Sequence, residues 1–186
     1  GMETRDAFDV CGYTDLAQAY GVRLIDTQTD AVCKKDCAGM ELSLCRCIDT
    51  IDFLINVPVV KGHCQTRATC ALKNMKGLIP DHEKRRFHRM GLHKPIAYLN
   101  ACIHQDFIVV DHICGDPGFE EGGNPLVRNC IMAAKDPVLA DAFACSLLNV
   151  DMDEVKYIGL AEKLGVGSAD LSGLTLRTLE GDPSED

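Results

Sequence analysis

The sequence predicts an α/β fold, specifically a three-layer α/β/α sandwich with a mostly parallel sheet. Two apolar runs, residues 53–60 and 107–114, are nearly continuous, which is typical of strands covered on both faces. Amphipathic helical patterns follow these runs, so that strands alternate with helices along the chain. In such folds the turns at the carboxyl ends of the strands meet at one edge of the sheet, where ligands bind.

The predicted elements follow in this order along the chain. The predicted strands cover residues 22–25, 42–47, 53–60, 107–114, 127–133 and 174–179. The predicted helices cover residues 8–20, 66–77, 92–103, 137–150 and 153–164. We expect irregular chain at 27–39, a basic loop at 78–90 and a glycine-rich loop at 115–124.

Each of the longer helices carries apolar residues at helical spacing, which predicts the face that meets the core. These stripes are Ala68, Ala71, Leu72 and Met75; then Leu92, Ile96, Leu99 and Ile103; then Leu139, Phe143, Leu147 and Val150; and Tyr157, Leu160, Ala161 and Leu164. Asp136 before Pro137 predicts a capped helix start, and Asp153 is predicted to cap the next helix. Gly21 and Gly165 are predicted to end helices.

Length and composition indicate one globular domain over residues 2–179, followed by a disordered acidic tail over residues 180–186. The formal net charge of −9 disfavours binding to nucleic acid, which requires a basic face. No apolar run is long enough to span a membrane, and no secretion signal opens the chain. We therefore expect a cytoplasmic protein.

The chain contains eleven cysteines, an odd number without the regular spacing of a disulfide-stabilised domain. We interpret them as free thiols, most of them small buried hydrophobes such as Cys102, Cys114, Cys130 and Cys145. The pair Cys33 and Cys37 resembles the start of a cluster motif, but Met40 stands at the third position. No bound metal is predicted.

Lys61 and His63 follow the apolar run at 53–60 and are the first candidate site residues. A lysine charge, a histidine and free backbone N–H groups suit an anion or a carboxylate, and Gly62 permits close approach of the backbone. The alternative is a basic surface turn without function.

Lys73, Asn74 and Lys76 lie at the end of the predicted helix that begins near Thr66. Cations at this position complement the helix dipole, which is a structural role. Alternatively, Lys73 shares a helical face with Thr66 and points towards the same site as Lys61. The basic group around His88 is either a solvated loop or a clamp for a small anion.

Asp111 ends a predicted strand, and Asp141 lies too far inside its helix to act as that helix's cap. Either carboxylate, paired with a lysine, could form a structural ion pair or an acid/base pair. The glycine-rich loop lacks the motifs of the common nucleotide-binding loops, and Glu120 with Glu121 is expected to repel phosphate.

Five ordered blocks resemble the domain of unknown function 362 (DUF362) family. They are INVPVVKGH, ALKNMKGLIP, EKRRFH, FIVVDHICG and KDPVLADAFA, and the resemblance extends over residues 12–171. The resemblance implies an α/β fold and a redox association, because some members are fused to ferredoxin-like modules with iron–sulfur clusters. This chain lacks the cysteine motif of that module, so a cluster within it is not expected, and it resembles the family from the second βα unit onwards.

Two hypotheses follow from the residues and the resemblance together. The first is a redox-linked enzyme, or part of one, that binds a small anionic ligand at the strand ends; the second is a non-catalytic domain that partners an iron–sulfur module on another chain. A homodimer through an open sheet edge is a further expectation. The candidate catalytic residues are Lys61, His63 and Asp141. The candidate ligand-binding residues are Asn56, Thr66, Lys73, Asn74, Lys76, His88 and Asp111.

Overall fold

The computed structural model describes residues 3–120 and 122–177. The helices are α1 (Thr4–Val10), α2 (Tyr13–Tyr20), α3 (Ala71–Asn74), α4 (Asp81–Arg89), α5 (His93–Asn100), α6 (Pro137–Leu148) and α7 (Tyr157–Lys163). The strands are β1 (Val32–Cys37), β2 (Met40–Cys45), β3 (Ile55–Asn56), β4 (Lys61–His63), β5 (Arg67–Thr69), β6 (Phe107–Gly115) and β7 (Leu126–Ala134). Within these residues, no helix has both the length and the apolar character needed to cross a membrane.

The strands form a mixed arrangement. β3 and β6 are parallel, with Ile55 beside Phe107, and a further parallel bridge joins Val59 to Asp111. β7 runs antiparallel to β6, and the β1–β2 and β4–β5 pairs are separate antiparallel hairpins. The α/β class is therefore confirmed for the described residues, whereas the three-layer sandwich with a mostly parallel sheet is not.

The apolar run at 53–60 is covered on one face, and the prediction of cover on both faces is wrong. Phe53, Ile55 and Val57 are 61%, 55% and 60% exposed. Pro58 has no N–H to donate, so the regular ladder is interrupted, although the Pro58 carbonyl still accepts the N–H of Asp111 at 2.8 Å. The segment thus follows β6 beyond the two residues of the regular strand.

The chain after this strand forms a hairpin, β4–β5, where a turn and the start of a helix were predicted. Helix α3 begins at Ala71 and not at Thr66, because the backbone near Thr66 is engaged in the hairpin turn. There the Nδ1 atom of His63 accepts the N–H groups of Gln65 (3.1 Å) and Thr66 (3.2 Å). The predicted core stripe is nevertheless buried, namely Ala68, Ala71, Leu72 and Met75.

The segment predicted as a basic loop contains helix α4. Its first turn carries Asp81 and Glu83, and its last turn carries Arg86, His88 and Arg89. Acidic groups near the start and basic groups near the end of a helix both complement its dipole. Phe87 is completely buried and fixes the helix to the core. The charge run that was interpreted as a loop is therefore the solvent-facing part of a helix.

Two of the later helices meet the core as follows. The α5 stripe is confirmed, since Leu92, Ile96, Leu99 and Ile103 are buried. Helix α6 buries a different face from the predicted one, including Val138, Ala142 and Cys145, and leaves Leu139, Phe143 and Leu147 half-buried. Small residues on the buried face permit the close contact with α3.

The predicted helix ends are largely confirmed. The carboxylate of Asp136 accepts the N–H groups of Val138 (2.8 Å) and Leu139 (3.0 Å) and caps α6. Gly21 and Gly165 adopt left-handed backbone conformations after α2 and α7. The prediction that Asp153 caps the next helix is wrong, because Asp151 caps the 3-10 turn Met152–Glu154 instead. Leu160 and Leu164 are half-buried, and Tyr157 and Ala161 are buried.

Several remaining expectations differ from the structure at the two ends of the chain. Residues 22–25 are not a strand, and the segment expected to be irregular contains β1. Residues 174–177 form no regular element, and residues 178–179 of the predicted closing strand lie outside the described residues, as does the acidic tail at 180–186. The prediction of a single domain over residues 2–179 stays a prediction.

The cysteines differ from the expectation of uniformly free thiols. Cys37 and Cys102 form a disulfide that joins β1 to the segment after α5. Cys114 and Cys130 are exposed on the β6–β7 hairpin, where they were expected to be buried. Cys145 is buried, as predicted. Apolar neighbours along the sequence did not reveal that one face of this hairpin lacks cover within the described residues.

The β4–β5 hairpin lies directly against the loop after β6. The N–H of Gly62 donates to the carbonyl of Asp116 at 2.8 Å. A Cβ atom on Gly62 would lie 2.6 Å from the carbonyl carbons of both Pro117 and Gly118. The absence of a side chain at this position is therefore what permits the two backbones to touch.

We predict that Gly62→Ala lowers the free energy of unfolding by about 1–3 kcal/mol, because the two backbones must separate. Gly159→Ala is the matched control, since a Cβ atom there meets no atom within 4 Å and the residue lies inside α7. That variant should be neutral or stabilised by up to about 1 kcal/mol. Urea denaturation measures both, and equal stabilities of the two variants would contradict the close contact.

Candidate functional site

A group of basic side chains gathers around the β4–β5 hairpin and helix α3. Lys73 is buried, and its Nζ donates to the hydroxyl of Thr69 at 2.9 Å. Lys61, half-buried on β4, donates from Nζ to the backbone carbonyl of Glu120 at 3.5 Å. His63 is buried on the same strand. The hairpin follows β3 and the loop of Glu120 follows β6, so this group lies beyond the carboxyl ends of two parallel strands.

The tautomer of His63 follows from its backbone contacts. Its Nδ1 atom accepts two backbone N–H groups and must therefore carry a lone pair. The proton of the neutral ring then resides on Nε2, which lies 3.5 Å from the carboxylate of Glu120. Burial and the nearby charge of Lys73 lower the pKa of His63 to about 4. His63 is thus a neutral hydrogen-bond donor at ordinary pH.

Glu120 is the residue that completes this group. One carboxylate oxygen accepts the backbone N–H of Cys64 at 2.8 Å, and the other accepts the Cys64 thiol at 3.0 Å. The hydrogen bonds that Glu120 accepts from the thiol and from the N–H of Cys64 lower the pKa of Glu120 to about 2, against the opposing effect of burial. The side chain is 25% exposed. A carboxylate therefore lies among donor groups that converge from the hairpin.

The cations of the group affect one another's protonation. Burial, together with the charges of Lys76 and Lys61, lowers the pKa of Lys73 to about 7, while the charge of Glu120 opposes them. The pKa of Lys76 is lowered by burial and by Lys84. The pKa of His88 is lowered by burial and by the charges of Lys76 and Lys73. Positive charge is thus concentrated here at a cost that an anion would relieve.

His63, Cys64 and Glu120 also bring three donor atoms within 4.8 Å of one another, a spacing that a metal ion could bridge. The orientation of His63 argues against a metal ion. A metal at Nε2 would move the ring proton to Nδ1, where it would face two backbone N–H groups. The neighbouring lysines would also repel a cation. The donor set therefore fits an anion better than a metal ion.

Asn56 and Asn74 belong to a network of amide side chains that is buried at Asn56 and exposed at Asn74. The Nδ2 atom of Asn56 donates to the Ala71 carbonyl (3.0 Å) and to Oε1 of Gln105 (2.6 Å). Asn74 donates to Oδ1 of Asn56 at 2.7 Å. These bonds fix β3 to α3, so both residues hold Lys73 of α3 in position. Thr66 has a comparable role in the hairpin turn, where its hydroxyl donates to the Ala68 carbonyl at 3.1 Å.

Asp111 and Asp141 make their contacts elsewhere. Asp111 lies on β6, and its carboxylate accepts the N–H of Ile113 at 2.9 Å. Asp141 is buried in the core, where Oδ1 accepts the N–H of Leu72 at 3.0 Å and so caps the first turn of α3. Its Oδ2 meets no hydrogen-bond donor among the described residues. The structure thus brings together Lys61, His63, Lys73, Lys76 and His88, and places these two carboxylates outside that group.

Sequence reasoning missed Glu120 and Cys64 as parts of the site. Glu120 was interpreted only as a charge that repels phosphate, and Cys64 was counted only among the free thiols. One signal was available: Glu120 lies in the loop that follows β6, the strand predicted to run parallel to the strand before Lys61. Two loops after neighbouring parallel strands are expected to meet.

The described residues therefore form an α/β domain with a cationic group beyond the ends of two parallel strands. The profile of the family described as domain of unknown function (DUF362) matches residues 1–146. The chain belongs to this family, in agreement with the resemblance of its five sequence blocks.

A curated relative is the thylakoid-associated protein sll1697 of Synechocystis sp.. It is 23% identical over 164 residues, which cover 83% of this chain and 50% of that protein. The chain thus spans about half the length of this relative. No solved structure gives a significant match.

We predict that the stability of the wild-type protein depends on pH through Asp141, and that Asp141→Asn removes this dependence. Burial raises the pKa of Asp141 from 3.8 to about 7. A raised carboxyl pKa contributes stability that is complete below the unfolded value and is lost as the pH rises through the folded value. At roughly 1.4 kcal/mol per pKa unit, the contribution is on the order of 4 kcal/mol.

Chemical denaturation of the wild type and Asp141→Asn between pH of about 4 and 8 measures this difference. The advantage of the wild type should shrink as the pH rises. Parallel stability curves for the two proteins would show that Asp141 does not titrate in this way.

Proposed function

We propose that this chain is a binding domain for a small anionic ligand, and that the β4–β5 hairpin and α3 supply the donors. The observation that carries the proposal is the convergence of backbone and side-chain donors on the carboxylate of Glu120. The N–H and the thiol of Cys64 donate to that carboxylate, and Nε2 of His63 lies 3.5 Å from it. Groups that stabilise a carboxylate of the protein can stabilise the same group of a ligand.

The charges of the site support an anion over a neutral ligand. The charges of Lys76 and Lys61 both lower the pKa of Lys73, and the buried position of Lys73 makes its positive charge costly without a partner. An anion near Lys73 would favour the protonated form of that lysine. The attraction between the two charges would be stronger there than in bulk water. The ligand would enter beyond the carboxyl ends of β3 and β6, where α/β proteins commonly bind small molecules.

The proposed function is limited to binding, because the groups of the site are hydrogen-bond donors and cations that can hold an anion. A redox-linked reaction and a partnership with an iron–sulfur module rest on the family resemblance alone. Lys61, His63, Lys73, Lys76 and His88 stay in the proposed site as donors or cations. Asn56, Thr66 and Asn74 support the elements that carry them.

Isothermal titration calorimetry with acetate, succinate and inorganic phosphate tests the proposal. The wild type should bind at least one of these anions, and Lys73→Met should weaken binding about 10–100-fold, as expected for loss of a charge-assisted hydrogen bond. Lys34→Met removes the same charge from an exposed residue of β1 and is the matched control. The proposal fails if neither the wild type nor Glu120→Ala binds any of the anions at millimolar concentration, or if Lys73→Met and Lys34→Met bind equally.

A second prediction concerns pH. Lys73 is protonated below a pH of about 7 and neutral above it, so anion affinity should fall as the pH rises through that value. The decline should approach about tenfold per pH unit. Lys73→Arg keeps the charge at every accessible pH and should flatten the profile. Titrations of both proteins between pH of about 6 and 9 measure the effect, and identical profiles would exclude Lys73 as its source.

A further inference from the structure

We propose that Glu120 is a built-in occupant of the anion site: its carboxylate lies where the carboxylate of a ligand binds, and the ligand enters by displacing it. This inference rests on the proposed function and adds the class of ligand and its mode of entry. The ligand is a carboxylate, because the site is already matched to one in shape and in donor positions.

The contacts of Glu120 define the position that a ligand would take. Oε2 lies 2.8 Å from the N–H nitrogen of Cys64, while Oε1 lies 3.0 Å from the Cys64 sulfur and 3.5 Å from Nε2 of His63. The N–H and the thiol of Cys64 both donate, so both carboxylate oxygens are acceptors, and Nε2 of His63 lies within ion-pair distance of one of them. A ligand carboxylate reproduces this pattern oxygen for oxygen. A neutral amide would instead direct an NH₂ group at one of the donors.

Displacement requires movement of one side chain only. The side chain of Glu120 is 25% exposed and so already borders solvent. The start of its loop is held independently, since the Asp116 carboxylate accepts the N–H groups of Gly118 (2.8 Å) and Asn124 (2.8 Å). The backbone bond from Gly62 to Asp116 fixes this loop to the hairpin. The donors therefore stay in place while the occupant changes.

Occupancy by Glu120 lowers the apparent affinity for any ligand. The observed dissociation constant equals the intrinsic one divided by the fraction of molecules in which the site is open. A carboxylate that is present in the same chain competes at high effective concentration. Removing it should therefore strengthen binding, which is the opposite of what happens when a residue that contacts the ligand is removed.

The thiol of Cys64 reports the position of Glu120 without any ligand. The thiol donates to Oε1 of Glu120, and this bond, with burial, raises the pKa of Cys64. When the carboxylate leaves, the nearby charge of Lys73 remains and favours the thiolate. Alkylation of Cys64 by iodoacetamide joins the sulfur to the CH₂ carbon, expels iodide and releases the thiol proton to solvent. Its rate follows the thiolate fraction.

The experiment compares the wild type, Glu120→Ala and Glu41→Ala. Glu41 is an exposed glutamate of β2, so its variant carries the same change in net charge. Calorimetry with acetate and succinate should give a dissociation constant at least about tenfold lower for Glu120→Ala than for the other two proteins. Mass spectrometry of peptides should show faster alkylation at Cys64 in that variant, with exposed Cys114 and Cys130 as internal references.

The outcomes separate the two proposals. Stronger binding by Glu120→Ala together with faster alkylation of Cys64 supports the built-in occupant. Binding by the wild type that Glu120→Ala leaves unchanged or weakens overturns the occupant alone, because Glu120 would then contact the ligand or lie outside its site. An unchanged alkylation rate at Cys64 also overturns it. Absence of binding by every protein overturns the proposed function and the occupant with it.

Discussion

The parallel pairing of residues 55–60 with β6 is the constraint on which the site depends. Ile55 and Asn56 pair with the start of β6, and the N–H of Val60 reaches the Asp111 carbonyl at 2.9 Å. Because both strands run in the same direction, the hairpin that follows one and the loop that follows the other leave the sheet at the same edge. A shift of this register by one residue would move His63 to the opposite face and separate it from Glu120.

The site balances two costs against each other. A buried lysine beside other cations is unfavourable, and so is a carboxylate removed from part of its water. Glu120 and Lys73 reduce each other's penalty through their mutual attraction. Neutral His63 and the N–H of Cys64 add donors without adding charge. The arrangement therefore keeps a carboxylate bound while limiting the positive charge that the hairpin must carry.

The sequence was sufficient to predict those features that depend on local patterns. The apolar stripe of α5 and the cap at Asp136 are of this kind. The choice of Lys61 and His63 as candidate site residues also rests on a local pattern, namely their position after an apolar run. Asp141 shows where local patterns fail: it caps α3, a helix distant in sequence, so its partner is set by tertiary packing. The hairpin at 61–69 was hidden because its turn is stabilised by a histidine side chain, and sequence rules for turns emphasise glycine, proline and asparagine.

The disulfide between Cys37 and Cys102 separates the site residues into those within the loop that it closes and Glu120, which lies outside that loop. It closes a loop of 65 residues that contains the hairpin, α3 and all the donors, whereas Glu120 lies outside this loop. A cross-link of that span reduces the entropy of the unfolded chain by an amount worth about 4 kcal/mol. The residues that supply the donors thus lie within a covalently closed loop, whereas Glu120, the acceptor, lies in the chain that follows this loop. Reduction of the Cys37–Cys102 bond would open this loop and leave the segment that carries Glu120 covalently unaltered.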